Sequence, residues 1–233
     1  MTTIRRWVSV LVLSLAALVA SGGYSSAQEP VVPPPTLPAD QPTAGGTQHR
    51  VIPEGFLPEE ERATVPLSQP DVHWVRNDGP NLPAILSPCG GPLRSDKARL
   101  DGRQLVLVGA SGWKSGRLVV YRDVKAAKAA VSEIRRALRR CERHEFRAGE
   151  TTVWASQTLR IGDDALFVGG AQFRGDTRVP GQFRGVVMRK GRAVQTYLDC
   201  GQATEQPTPA IVQPYQDKAR DMAAKLAQVR WAR

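Results

Sequence analysis

The sequence contains few of the residues from which metal sites and nucleophilic active sites are built. Its 233 residues include three histidines and three cysteines, Cys89, Cys141 and Cys200. The wide spacing of the cysteines disfavours a zinc site, because structural zinc sites usually take ligands close together in the sequence. A cysteine nucleophile needs a histidine base, and the sequence alone does not place one beside a cysteine. We therefore predict neither a metal site nor another cofactor.

No apolar segment reaches the ~20 residues that a membrane-spanning helix needs. The longest one, Trp7–Val19, follows Arg5 and Arg6 and precedes the small residues Ser25–Ala27. This order is typical of a cleavable signal peptide. We predict a signal peptide over residues 1–27, and a secreted protein, extracellular or associated with the cell envelope, without a transmembrane anchor in the mature chain.

A proline- and glycine-rich segment follows the predicted leader. Gln28 would be the first mature residue, and residues 28–50 include five prolines in the first eleven positions, then Gly45 and Gly46. This stretch has too little apolar periodicity to form a core. We predict a disordered tether over residues 28–50 and a single domain over residues 51–233.

Short apolar and β-branched segments separated by turn residues predict a sheet. They are residues 105–108, 117–121, 151–157, 165–173, 185–190 and 193–198. Lys190-Gly191-Arg192 predicts a tight hairpin between the last two. The glycine-rich connection at residues 109–116 lacks the spacing of a phosphate-binding loop, since Trp113-Lys114-Ser115 begins a strand and not a helix.

A helix is predicted from about Asp123 to Arg143, with Asp123 as its N-cap. Its apolar positions recur at intervals of three and four residues, and Cys141 falls on that buried stripe. The opposite side carries Arg135, Arg136, Arg139, Arg140 and Arg143. This arginine ridge has two interpretations: a solvated face whose last turn suits the helix dipole, or an anion-binding surface formed by Arg135, Arg139 and Arg143.

A second helix is predicted to begin near Gln213, with Pro214 in its first turn. The order of the elements is strand, strand, helix, several strands, helix. This order favours an α+β fold, in which an antiparallel β-sheet carries both main helices on one face.

Five short motifs in a fixed order resemble a known family. They are Ile52-Pro53-Glu54-Gly55-Phe56-Leu57, Leu82-Pro83-Ala84-Ile85-Leu86 before Cys89, Val119-Val120-Tyr121-Arg122-Asp123, Ile161-Gly162-Asp163-Asp164-Ala165 and Val186-Val187-Met188-Arg189-Lys190-Gly191. Residues 51–233 resemble the actinobacterial sensor-like domains similar to the extracellular domain of the serine/threonine kinase PknH. The resemblance implies a mixed α/β module with a cleft that binds a ligand and is not an enzyme. The chain departs from the kinase in having no kinase portion and an odd number of cysteines.

We predict a disulfide between Cys89 and Cys141. Export favours oxidation, Cys141 lies on the helical stripe, and the turn Pro88-Cys89-Gly90-Gly91 can approach the end of the helix. Cys200 would then be free or would form an intermolecular bond.

The basic charge favours an anionic partner. Lys and Arg outnumber Asp and Glu by 32 to 22, and the mature chain would keep a net charge of +8 because the leader holds two arginines and no acid. Outside the cell, such a charge suits an anionic envelope polymer, a lipid or a small molecule, whereas export argues against nucleic acid. Alternatively, the abundance of Arg and Ala reflects a high-GC genome.

Two classes of function remain open. One is a secreted noncatalytic binding domain that recognises an envelope or extracellular component. The other is a cell-envelope hydrolase that uses Asp163 or Asp164, although Asp is also favoured structurally at such a turn.

Overall fold

A computed structural model describes residues 51–63, 71–82, 86–201 and 208–229. The signal peptide predicted for residues 1–27 and the tether predicted for residues 28–50 lie outside these ranges and stay predictions. Within the described ranges, none of the helices combines the length and the apolarity needed to cross a bilayer.

Eight strands form one antiparallel sheet in the order β1-β2-β3-β8-β7-β6-β5-β4. They are β1 His73–Asp78, β2 Arg99–Gly109, β3 Gly112–Tyr121, β4 Arg143–Arg147, β5 Glu150–Leu159, β6 Asp164–Arg174, β7 Thr177–Lys190 and β8 Ala193–Gly201. The predicted hairpin between β7 and β8 is confirmed: Lys190 pairs with Ala193, and Gly191 adopts the positive φ of 57° that the tight turn requires. Trp113-Lys114-Ser115 lies in β3, as the sequence predicted.

The helices are α1 Glu60–Ala63, α2 Val124–Arg140 and α3 Pro209–Ala227, with a short 3-10 helix at Arg94–Ala98. Asp123 is the N-cap of α2, because its Oδ1 accepts a hydrogen bond from the Ala126 N–H at 2.7 Å. The helix ends three residues earlier than predicted. The N–H of Cys141 bonds the Ala137 carbonyl at 2.8 Å as the C-cap, and the chain then turns into β4, which begins with Arg143.

The start of α3 was predicted wrongly. The helix begins at Pro209 behind the N-cap Thr208, so Pro214 lies inside the helix and not in its first turn. An interior proline removes one helical hydrogen bond, and here its ring is exposed on the outer side. Its buried residues include Tyr215, Ala219, Met222 and Leu226, which recur at intervals of three and four residues on one side of the helix.

The two main helices lie on opposite faces of the sheet. Leu118 and Val120 of β3 belong to the core cluster that contains Met222 of α3. Val119, between them, belongs to the cluster that contains Val131 of α2. Because successive strand residues point to opposite faces, α2 and α3 sandwich the sheet. The predicted α+β class and antiparallel sheet are confirmed, but the placement of both helices on one face is wrong. Both faces of the central strands are apolar, so each face must pack against another layer of the structure.

The predicted disulfide joins Cys89 to Cys141, with Cα atoms 5.4 Å apart. Cys200 is a free, buried cysteine on β8. The bridge ties the loop before the 3-10 helix to the C-terminal end of α2.

Candidate anion-binding surface

The three arginines predicted to bind a ligand do not form one ridge. The guanidinium of Arg135 donates to both carboxylate oxygens of Asp164, at 3.1 and 2.5 Å, and to the Ala165 carbonyl at 3.1 Å. Arg143 lies on β4, with its guanidinium carbon 5.9 Å from the centroid of the Phe173 ring. Of the three, Arg139 alone is an exposed residue on α2. The placement of Arg143 on the helix was therefore wrong.

A different set of cations shares the outer face of α2. These residues are Lys125, Lys128, Arg136 and Arg139, and we call them the cationic stripe. All four are exposed, and none makes a hydrogen bond or an ion pair with another described residue. At 100° per residue they lie within about 80° of the helix circumference, and the 14-residue span corresponds to about 21 Å.

No carboxylate interrupts the cationic stripe. Glu133 is the one acid in α2, and its Oε2 accepts hydrogen bonds from the backbone N–H and the hydroxyl of Ser95, at 3.1 and 3.0 Å. Glu133 therefore links α2 to the 3-10 helix and does not neutralise the stripe. The helical spacing was a usable signal for Lys125 and Lys128, which the sequence prediction passed over in favour of the arginine-rich end.

The carboxylate pair proposed for a hydrolase is fully engaged in the structure. Asp164 is held by Arg135, as described above. Asp163 accepts hydrogen bonds from Arg189 at 3.0 Å, from Lys190 at 3.1 Å and from the Gly191 N–H at 2.7 Å. Burial opposes ionisation of Asp163, but the Gly191 N–H and the Lys190 ammonium outweigh it and hold the pKa below its ordinary value. These contacts anchor a turn and a strand, and they do not support general acid or base chemistry.

Cys200 does not offer a reactive thiolate. Burial, with a contribution from the charge of Asp199, raises the pKa of its thiol to about 12, so the thiol is protonated at neutral pH. Within the described part of the chain, no three His, Cys, Asp or Glu side chains are arranged to hold a metal ion.

Because Arg135 forms an ion pair with Asp164, we expect its substitution to change the stability of the domain and not its affinity for an anion. We expect Arg135→Gln to lower the free energy of unfolding by about 1–2 kcal/mol, because Asp164 loses a two-point charged partner. Arg136→Gln, next to it but exposed and unpaired, should change stability by less than about 0.5 kcal/mol. Urea denaturation of both variants measures the difference, and equal effects would contradict the assignment.

Comparison with known proteins finds a structural likeness without a sequence match. No protein-family model and no curated protein matches the chain. A crystal structure of the extracellular domain of PknH from Mycobacterium tuberculosis is similar, with a TM-score of 0.44 and 14% sequence identity, over 66% of this chain and 86% of that chain. The sequence motifs resemble this same extracellular domain. The assignment of the fold class rests on the strand order of the sheet and not on this likeness.

Proposed function

We propose that this chain is an exported, noncatalytic binding domain that docks on an anionic polymer of the cell envelope. The observation that carries the proposal is the cationic stripe, which has four exposed cations along about 21 Å of α2. The one acid of the helix, Glu133, is bonded to Ser95. The proposal keeps Arg139 from the sequence prediction and replaces Arg135 and Arg143 with Lys125, Lys128 and Arg136. The engaged carboxylates of Asp163 and Asp164 favour binding over hydrolysis.

The geometry of the stripe suits a linear polyanion. Like charges three or four residues apart on a helix repel one another by a few tenths of a kcal/mol per pair. A chain of phosphate or carboxylate groups laid along α2 relieves that repulsion at several points at once. A single small anion would contact one or two of the four side chains only.

The first test removes charge from the stripe. We expect the triple variant Lys128→Gln, Arg136→Gln, Arg139→Gln to bind fluorescently labelled long-chain polyphosphate at least roughly tenfold more weakly at low salt, which corresponds to about 1.4 kcal/mol. Binding of the unmodified protein should also weaken as salt rises, since the Debye length falls from ~10 Å at 0.1 M to ~3 Å at 1 M. Fluorescence anisotropy measures both effects.

A charge-matched control separates the stripe from net charge. Arg160→Gln, Arg174→Gln and Arg220→Gln together remove the same charge from exposed positions outside α2. This triple variant should keep affinity for polyphosphate within roughly twofold of the original. If the two triple variants weaken binding equally, attraction is unspecific, and the proposed surface is wrong.

A further inference from the structure

A second polar site lies on the other face of the sheet, beside α3. It is a cavity of about 460 Å³ whose lining includes Lys114, Arg184, Asp199 and Tyr215, together with the apolar side chains Val72 and Leu107. We call it the Asp199 pocket. Its volume lies within the range of small-molecule sites, which combine apolar walls with a few placed polar groups. It does not depend on the cationic stripe.

Three charged residues of the pocket lie side by side on the adjacent strands β3, β8 and β7. Lys114 of β3 pairs in register with Asp199 of β8, and Asp199 pairs in register with Arg184 of β7. Neighbouring strands are ~4.8 Å apart, and residues in direct register point to the same face. The sheet therefore presents a positive, a negative and a positive group in one row, with a net charge of +1.

Tyr215 fixes the central carboxylate of the row. Its hydroxyl donates to Oδ2 of Asp199 at 2.6 Å, while Oδ1 makes no hydrogen bond within the described residues. Burial raises the pKa of Asp199, although the hydrogen bond from Tyr215 and the charge of Lys114 act in the opposite direction. Oδ1 of Asp199 is thus a partly desolvated acceptor, and a hydrogen bond from a ligand would stabilise its charged form.

The two cations differ in how they are held. Arg184 donates to Oε1 of Gln182 at 2.6 Å, which fixes its guanidinium on the sheet. Lys114 is exposed and forms no hydrogen bond or ion pair with the residues that the structure describes. The pocket therefore offers one fixed and one adjustable cation on either side of an acceptor.

We propose that the Asp199 pocket binds a small hydroxylated organic anion, such as a sugar acid or a sugar phosphate. The carboxylate or phosphate pairs with Lys114 of β3, and a ligand hydroxyl donates to Oδ1 of the neighbouring Asp199. A simple anion would meet the repulsion of Asp199, and a neutral sugar would leave Lys114 without an anionic partner. The apolar side chains of Val72 and Leu107 contact the face of a sugar ring.

The experiment is calorimetric titration of the mature chain with D-glucuronate, glucose 6-phosphate, glucose and inorganic phosphate. We expect at least one of the two acidic sugars to bind at least roughly tenfold more tightly than both glucose and inorganic phosphate. Preference for glucuronate or for glucose 6-phosphate identifies the anionic group as carboxylate or phosphate. Equal affinity for glucose, or no binding of either acidic sugar, would overturn the proposal.

Two variants test the roles of the charged groups. Lys114→Gln should weaken binding of the preferred sugar at least roughly tenfold, and its exposed position keeps the fold independent of the change. Asp199→Asn should weaken the sugar but strengthen inorganic phosphate, because the competing charge is removed. Arg160→Gln, an exposed cation between β5 and β6, is the matched control and should stay within roughly twofold.

The outcomes separate recognition from simple attraction. If Asp199→Asn strengthens the acidic sugar and inorganic phosphate alike, Asp199 only repels anions, and the proposed hydrogen bond is absent. Thermal unfolding monitors the fold of each variant. Should Asp199→Asn fail to fold, a Lys114→Gln protein with unchanged sugar affinity would by itself refute the proposal.

Discussion

Arg103→Met should be among the most destabilising single substitutions in this domain, lowering the free energy of unfolding by about 3–5 kcal/mol. The Arg103 side chain is 1% exposed. It donates to Oδ1 of Asp78 at 2.9 Å and to Oε1 of Glu60 at 2.9 Å. Removing the cation leaves Glu60, itself 7% exposed, as a buried carboxylate without its partner.

The same guanidinium holds the segment at residues 51–63 on the sheet. Arg103 also donates to the carbonyls of Pro53 and Ile52, at 2.5 and 3.3 Å. Ile52, Phe56 and Leu57 are buried in the core cluster on the α3 face. We therefore expect Arg103→Met to loosen this apolar cover as well as to leave an unpaired charge.

Two further variants identify the cause of the loss. Arg76→Gln, in the same ion network but 38% exposed, should cost less than about 1 kcal/mol. In urea denaturation, the double variant Arg103→Met, Glu60→Gln should be more stable than the sum of the single effects predicts, because the second change removes the buried charge. If Arg103→Met costs no more than Arg76→Gln, the buried network does not hold this segment.

Local patterns predicted the parts of the fold that depend on local physics. The apolar spacing and Asp123 predicted α2, since both act within one or two helical turns. Its end was missed because the residue after the C-cap at Cys141 bonds a distant strand: the Glu142 carbonyl accepts from the Trp154 N–H of β5 at 2.7 Å. The opposite placement of α2 and α3 had a signal, the continuous apolar run at residues 118–121, which indicates a strand buried on both faces.

The candidate sites depend on contacts between residues that are distant in the chain. The sequence therefore predicted the sites less accurately than it predicted the helices and strands. Arg135 is engaged in an ion pair with Asp164, 29 residues away in the chain. No rule of sequence spacing predicts that pair. The pairing of Arg184 with Asp199 could have been found, because both residues are equally far from the two-residue turn Gly191-Arg192. Lys114 joins them through the pairing of β3 with β8, which are far apart in the chain.

Loss of the disulfide should destabilise the domain about as much as loss of Arg103. We expect the double variant Cys89→Ser, Cys141→Ser to lower the free energy of unfolding by about 4 kcal/mol, because the bond closes a loop with a sequence separation of 52 and restricts the unfolded chain. In the folded state the bridge also fixes the loop beside the C-terminal end of α2, where the Sγ of Cys89 lies 3.6 Å from the Ala137 carbonyl.

Urea denaturation with and without a reductant measures the effect of the disulfide. Reductant should shift the unfolding midpoint of the original protein and of a Cys200→Ala variant, but not that of the double serine variant. If reductant leaves the midpoint of the original protein unchanged, the bridge does not contribute to stability, and the constraint on the end of α2 must come from packing alone.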